Sequence, residues 1–258
     1  MSDNGIGHET VRFGSFRSCA ATHAGAANRL NEDAYVNRPD LGIWAVADGA
    51  GGHEAGEIAS AEVVSILQTI DAGLSASEML IEVRSRLEAA HAKLHAEAWR
   101  HGANAMVATT VVVLMVRDDH FACLWAGDSR AYLLRGHALT RITRDHSLVQ
   151  GLVESGTISE AEAARHPQAN VITRAVGADT DLLELEKRTG QLQAGDRLLL
   201  CSDGLSKTLP EELLAELLSG DNDTAAERLV TAALMAQATD NVTAVTIDFG
   251  AAAEASSG

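Results

Sequence analysis

The run Ala108–Val116, ATTVVVLMV, is apolar or β-branched at every position. A strand with one wet face would alternate, so this one is expected to be buried on both sides. Gly42–Ala47, Phe121–Ala126, Ala131–Leu134, Arg197–Cys201 and Val242–Phe249 are written in the same style, mostly with turn-sized gaps between them. Val111, Leu124 and Leu133, in three neighbouring runs, suggest an antiparallel meander.

Four stretches have helical periodicity instead. Glu54–Ile70 sets Val63, Leu67 and Ile70 on one stripe, and Ser77–His101 sets Leu80, Val83, Leu87 and Leu94 on another. Pro210–Leu218, with Pro at the first helical position, and Thr224–Ala236 form a second pair. Antiparallel strand groups with helices in separate pairs indicate an α+β layered domain. Arg144–Gly177 is polar and dotted with His and Gly, and reads as an inserted flap over about 144–180. The expected organisation is an N-terminal extension over 1–15, one domain over 16–249 and a frayed tail over 250–258.

The 20 Lys and Arg against 36 Asp and Glu give a net charge of −16, which disfavours nucleic acid and anionic membranes as partners. Cations, small molecules and proteins fit better. Cys19, Cys123 and Cys201 are an odd number without a CxxC, each in or beside an apolar run. They read as buried free thiols of a reducing compartment. No basic and apolar leader opens the chain, and no apolar run reaches membrane length. A soluble, cytoplasmic protein is expected.

Four aspartates bound the apolar runs. Asp48 follows GIWAVA, Asp128 follows FACLWAG, Asp203 follows RLLLCS, and Asp240 precedes NVTAVTIDF. Singly, a strand-end Asp is an Asx turn or a helix cap. Jointly, converging carboxylates would raise one another's pKa unless a cation neutralised them. Oxygen donors with no Cys or His in the set suit Mg2+ or Mn2+, not zinc.

Other motifs fail. Asp48–Gly56, DGAGGHEAG, lacks the Lys-Ser/Thr of a P-loop, and Glu54 takes the last glycine position of a GxGxxG. Glu57 stands where an HExxH beginning at His53 needs its second His. Glu54 and Glu57 read as first-turn acids of a helix. No GxSxG occurs, and no Cys has a nucleophilic setting.

The strings Asn31-Glu32-Asp33, Val46–Gly52 with His53, Ala108-Thr109-Thr110, Ala126–Arg130, Ser202–Leu205 and Asp240–Thr243 follow one another in an order that resembles the metal-dependent protein serine/threonine phosphatases, type 2C (PPM), in their bacterial stand-alone form. The resemblance spans roughly Thr22 to Phe249, and His166–Gly177 looks like the flap of bacterial members. It implies a β-sandwich of two antiparallel sheets flanked by helix pairs, a four-layer αββα arrangement with a flap insertion. It also implies hydrolysis of phosphoserine and phosphothreonine through a water that bridges two Mn2+ or Mg2+ ions about 4 Å apart.

By the same resemblance, Asp48 bridges the two metals and is the catalytic centre's pivot. The Gly49 carbonyl joins the second metal, and Asp203 and Asp240 complete the first. Asp128 holds a possible third ion, sharing Asp203, while Glu32 and Asp33 hold metal-bound waters from the outer shell. The phosphate-contacting Arg of the family falls at Asn28, with Arg29 one residue later, so either Arg29 does that work or the metals hold phosphate. Ala50 replaces a His found after Asp-Gly in many eukaryotic relatives; His53 could donate a proton or merely begin a helix. His23 has no assigned role, and His146 is expected to be structural. The implied partners are a phosphoprotein substrate and a cognate Ser/Thr kinase, with the protein a monomer. A phosphatase-like binding module without turnover and a small-molecule phosphomonoesterase are the alternatives.

Overall fold

The computed structural model describes residues 5–25, 30–51, 55–101, 106–178, 182–221 and 223–250. The chain begins with β1 (Gly7–Phe13), β2 (Phe16–His23), β3 (Asp33–Arg38) and β4 (Ile43–Gly51). The helices α1 (Ala55–Gln68) and α2 (Ala76–His101) follow, then β5 (Val107–Thr109), β6 (Val111–Arg117), β7 (His120–Ala126), β8 (Arg130–Arg135) and β9 (Ala138–Arg141). Next come α3 (Leu148–Glu154), α4 (Glu160–Ala163), β10 (Glu186–Gln191) and β11 (Arg197–Cys201). The single turn α5 (Asp203–Ser206), α6 (Glu211–Ser219), α7 (Ala225–Met235) and β12 (Val242–Phe249) complete it.

One sheet runs β1-β2-β12-β11-β8-β9 and the other β10-β7-β6-β4-β3, with β5 paired to the end of β4. All of these pairings are antiparallel. Side-chain parity then builds the layers. In β4, Trp44 and Val46 pack between the sheets, while Ile43, Ala45 and Ala47 pack with Val63, Leu67, Val83 and Leu87 of α1 and α2. In β11, Leu198 and Leu200 face the other sheet, while Leu199 and Cys201 meet Leu214, Leu229 and Val230 of α6 and α7. Phe16 of β2 meets Trp44 of β4 edge-on, with ring centroids 5.1 Å apart. Both faces of the central strands are therefore dry, which is why their sequences do not alternate. The result is the expected α+β sandwich with helix pairs outside two antiparallel sheets.

Several boundaries differ from the sequence reading. Ala108–Val116 is two strands, β5 and β6, interrupted at Thr110. The meander ends after β7, because β8 pairs with β11 in the opposite sheet. Gly127 makes that crossing possible: its φ is +112°, and a Cβ there would lie 2.6 Å from the Thr110 side chain. Pro210 stands at the N-cap of α6, one residue before the expected position. Residues 7–13, assigned to an extension, pair with β2 along their whole length.

Within the segment read from sequence as a flap (about 144–180), the described residues up to 178 carry α3, α4 and a capping box at Ser159 and Glu162. Reciprocal backbone hydrogen bonds between Thr109 and Val176, at 2.9 and 2.8 Å, fasten the end of this segment to β5. No described helix is long and apolar enough to cross a membrane.

Leu200 is fully buried between the sheets, so Leu200→Ala is expected to lower unfolding stability by roughly 2–5 kcal/mol in urea melts. All three cysteines are free and buried. Burial pushes the Cys123 thiol far up and the Cys201 thiol up to about 12. Ellman's reagent should therefore find no thiol in the native chain and 3 after denaturation.

Candidate active site

Antiparallel pairing brings strand ends distant in sequence to one edge of the sandwich. Asp33, which begins β3, lies directly opposite Asp48 in β4. Ser202 and Asp203 leave β11 beside the start of β12, where the Ser202 N–H donates to the Thr243 carbonyl at 3.1 Å. Asp240 and Asn241 lead into that same strand. Asp128 occupies the crossing between β7 and β8, one residue after Gly127.

A hydrogen-bonded frame holds these ends. The Asn241 side chain accepts from the Glu32 N–H at 2.9 Å and donates to the carbonyls of Ala24 and Leu30, both at 2.9 Å. It thereby ties the loop before β3 to β12. The Gly49 N–H donates to the Glu32 carbonyl at 3.1 Å, and the Thr110 N–H to the Asp48 carbonyl at 2.8 Å. The Thr110 hydroxyl accepts from the Asp48 N–H at 3.2 Å and shares a 2.7 Å bond with the Ser129 hydroxyl. Gly49 fits because it is glycine: a Cβ would strike the Gly56 carbonyl and come within 2.7 Å of the Glu32 carbonyl oxygen. The Glu32 carboxylate lies against Gly56, whose added Cβ would meet Oε1 at 2.5 Å.

Five carboxylates meet inside this frame. Burial first, then the charges of Asp33, Asp203, Asp128 and Asp240, push the Asp48 carboxyl well above the usual range. Asp33 is pushed up to about 7, mainly by burial, with Ser202 and Thr243 opposing and Asp203 and Asp240 adding to the rise. Burial and Asp203 also raise Asp128, against the opposing charge of Lys207. Asp33 accepts from the Ser202 hydroxyl on Oδ2 at 2.7 Å, while its Oδ1 and the Oδ1 of Asp128 are buried without a hydrogen-bond partner among the described residues.

Orphaned carboxylate oxygens among like charges call for a cation. An all-oxygen donor set fits Mg2+ or Mn2+ and does not fit zinc. Among the described residues no three His, Cys, Asp or Glu side chains already close into a metal cage. The carboxylates repel one another, and Lys207 stands between two of them, its Nζ 2.9 Å from Asp128 Oδ2 and 2.6 Å from Asp203 Oδ2.

Asp33, Asp48, Asp128, Asp203 and Asp240 thus come together, with Glu32 and Gly49 in the same frame. Arg29, Asn28, His53 and Glu54 lie outside the described residues. His23 Nδ1 accepts from the Gly25 N–H at 2.9 Å, and buried His146 accepts from the Gly127 N–H at 3.2 Å while stacking on Trp125. His146 braces the crossing that carries Asp128. Sequence reasoning quoted Ser202 and Asn241 only as flanks of Asp residues and overlooked Lys207. The spacing of Lys207 four residues after Asp203, on one helical turn, was the available signal.

The chain matches the family model described as Protein phosphatase 2C over residues 21–242. It is 35% identical over 233 residues to the serine/threonine protein phosphatase PstP of Mycobacterium tuberculosis, covering 90% of this chain and 45% of that protein. It therefore spans less than half the length of that relative. The serine/threonine phosphatase Stp of Listeria monocytogenes is 34% identical over 238 residues, covering 88% of this chain and 93% of Stp.

Among solved structures, PppA of Pseudomonas aeruginosa, described as a key regulatory component of T6SS, is 38% identical with a TM-score of 0.84, over 93% of this chain and 100% of that one. The catalytic domain of PstP in complex with 2 manganese ions is 33% identical with a TM-score of 0.79, over 90% and 97% of the two chains. The order of aspartate motifs, the two-sheet sandwich and the match across residues 21–242 agree: this chain belongs to the protein phosphatase 2C family.

Proposed function

We propose that the chain is a protein-serine/threonine phosphatase whose site holds two divalent ions, Mn2+ or Mg2+. The convergence of Asp33, Asp48, Asp203 and Asp240 at one end of the sandwich carries this reading. Asp48, the Gly49 carbonyl, Asp203 and Asp240 are the groups that would hold the ions, with Asp48 at the centre of the cluster. Such ions supply positive charge that lowers the pKa of water and stabilises the phosphoryl group in an in-line displacement.

The chain's own residues then do little covalent work. Ser202 occupies Asp33 Oδ2, which leaves the buried Oδ1 to accept from an ordered water. Glu32, fixed between Gly49 and Asn241 through its backbone, would accept from a metal-bound water in the same way. All three thiols are buried, and burial raises the pKa values of Cys123 and Cys201, so none offers a covalent nucleophile for a cysteinyl-phosphate route. Arg29 is the candidate for contact with the substrate phosphate.

A groove of about 560 Å3 opens beside Asp128 and Lys207, walled by Arg130, Arg141, Ser147 and Asn170. It has room for residues flanking a phosphoserine or phosphothreonine, which favours a phosphoprotein over a small phosphomonoester. Reversal of protein phosphorylation implies a Ser/Thr kinase as the opposing enzyme.

Phosphopeptide hydrolysis should depend on Mn2+ or Mg2+ and stop in excess EDTA; full turnover in EDTA would overturn the assignment. Asp48→Asn should lower kcat/KM by at least about a hundredfold while circular dichroism stays unchanged. In EDTA the same variant should behave oppositely in stability. The folded-state pKa of Asp48 is raised, so its contribution favours the fold below the unfolded value of about 4 and is lost as pH rises. Asp48→Asn should therefore melt a few degrees above wild type near about pH 7.5, with the gain shrinking towards about pH 4.

A further inference from the structure

Lys207 caps the C-terminal end of the single turn that begins at Asp203, and its N–H donates to the Asp203 carbonyl at 2.8 Å. Its backbone is thus fixed by the residue whose carboxylate its side chain reaches. An ammonium has three protons to donate. Here all three find oxygen: Asp203 Oδ2 at 2.6 Å, Asp128 Oδ2 at 2.9 Å and Asn170 Oδ1 at 3.0 Å.

Asp128 is almost wholly buried, and Lys207 itself is one-third exposed. The position between Asp128 and Asp203 is the one the family resemblance allotted to a third metal ion. In this chain a charged side chain already fills it.

We infer that Lys207 is a built-in cation that takes the place of a third divalent ion between Asp128 and Asp203, leaving this chain to bind two. The inference rests on the two-metal reading above. Mg2+ needs oxygens at about 2.0–2.1 Å in near-octahedral order, closer than the ammonium holds them. A third ion would have to expel Lys207 from three hydrogen bonds and then draw the two carboxylates inward. Asp128 Oδ1 has no hydrogen-bond partner among the described residues, so removing the ammonium would leave both Asp128 oxygens available to an incoming ion. Through Asn170 the same ammonium also fastens the segment between β9 and β10 to the metal-holding edge. Lys207 is in these terms a positioning residue, acting through the two aspartates.

Mn2+ binding decides the matter without reference to turnover. The metal-stripped full chain is dialysed against a graded series of Mn2+ concentrations, and bound metal is read by atomic absorption. Wild type should saturate at two ions per chain, the number of manganese ions in the PstP complex. Lys207→Met, which keeps the length of the stem without its charge, should take up a third ion about tenfold or more tightly than wild type does. Adding Asp128→Asn to Lys207→Met should return the count to two.

Three ions on wild type with undiminished affinity would overturn the inference, as would two on a folded Lys207→Met chain. If Lys207→Met does not fold, Lys207→Ala replaces it, and the wild-type count alone still tests the first half. No bound ion on any of the proteins would instead sink the two-metal reading itself, and this inference with it.

Discussion

Like charges forced together are the condition on which the rest of this structure turns. Asp33, Asp48, Asp128, Asp203 and Asp240 would separate if the chain allowed it. They are held by strands whose two faces are both dry, so a shift of any strand end would disturb the core behind it. The register that sets Asp33 against Asp48 also sets Tyr35 against Val46 and Val36 against Ala45. Hydrophobic packing over the sandwich thus sustains an electrostatic arrangement at its rim that is unfavourable by itself. The compensating term is positive charge, which Lys207 supplies at Asp128 and Asp203 and which the proposed divalent ions would supply to the rest of the cluster.

Legibility in the sequence follows the same division. Central strands were readable because burial on both faces leaves no polar alternation, as in Val111–Arg117 and Arg197–Cys201. The strands β1 and β10 were not, since they are edge strands with mostly exposed or half-exposed side chains and carry sequences such as EKRTGQ. The crossing from β7 to β8 was invisible because it depends on a positive φ at Gly127, which sequence permits without requiring. The four strand-end aspartates were legible as a group because each bounds an apolar run, and the family's motif order reinforced that reading. The neutral frame of Asn241, Thr110 and Ser202 was not, because its hydrogen bonds join residues up to 217 positions apart.

Lys207 shows where reading by motif falls short. A motif records which residues a family shares at a site and says nothing of a side chain that reaches in from the next turn. The spacing of Lys207 from Asp203 hints at the contact, but the distances to Asp128, Asp203 and Asn170 are what identify it as part of the cluster. The same distances give the segment over residues 144–178 an energetic link to the acidic edge. That edge therefore takes one of its charges from a residue facing the groove.

The burial of Cys19, Cys123 and Cys201 sets this chain apart from phosphatases that attack phosphate with sulfur. An enzyme of that kind must keep a thiolate in contact with solvent and loses function when peroxide converts it to a sulfenic acid. Here all three sulfhydryls are buried away from solvent. If the proposed activity holds, a burst of oxidant that silences thiol-based dephosphorylation would spare this chain's buried sulfhydryls, and signals erased by the two kinds of enzyme would then decay at different rates in a stressed cell.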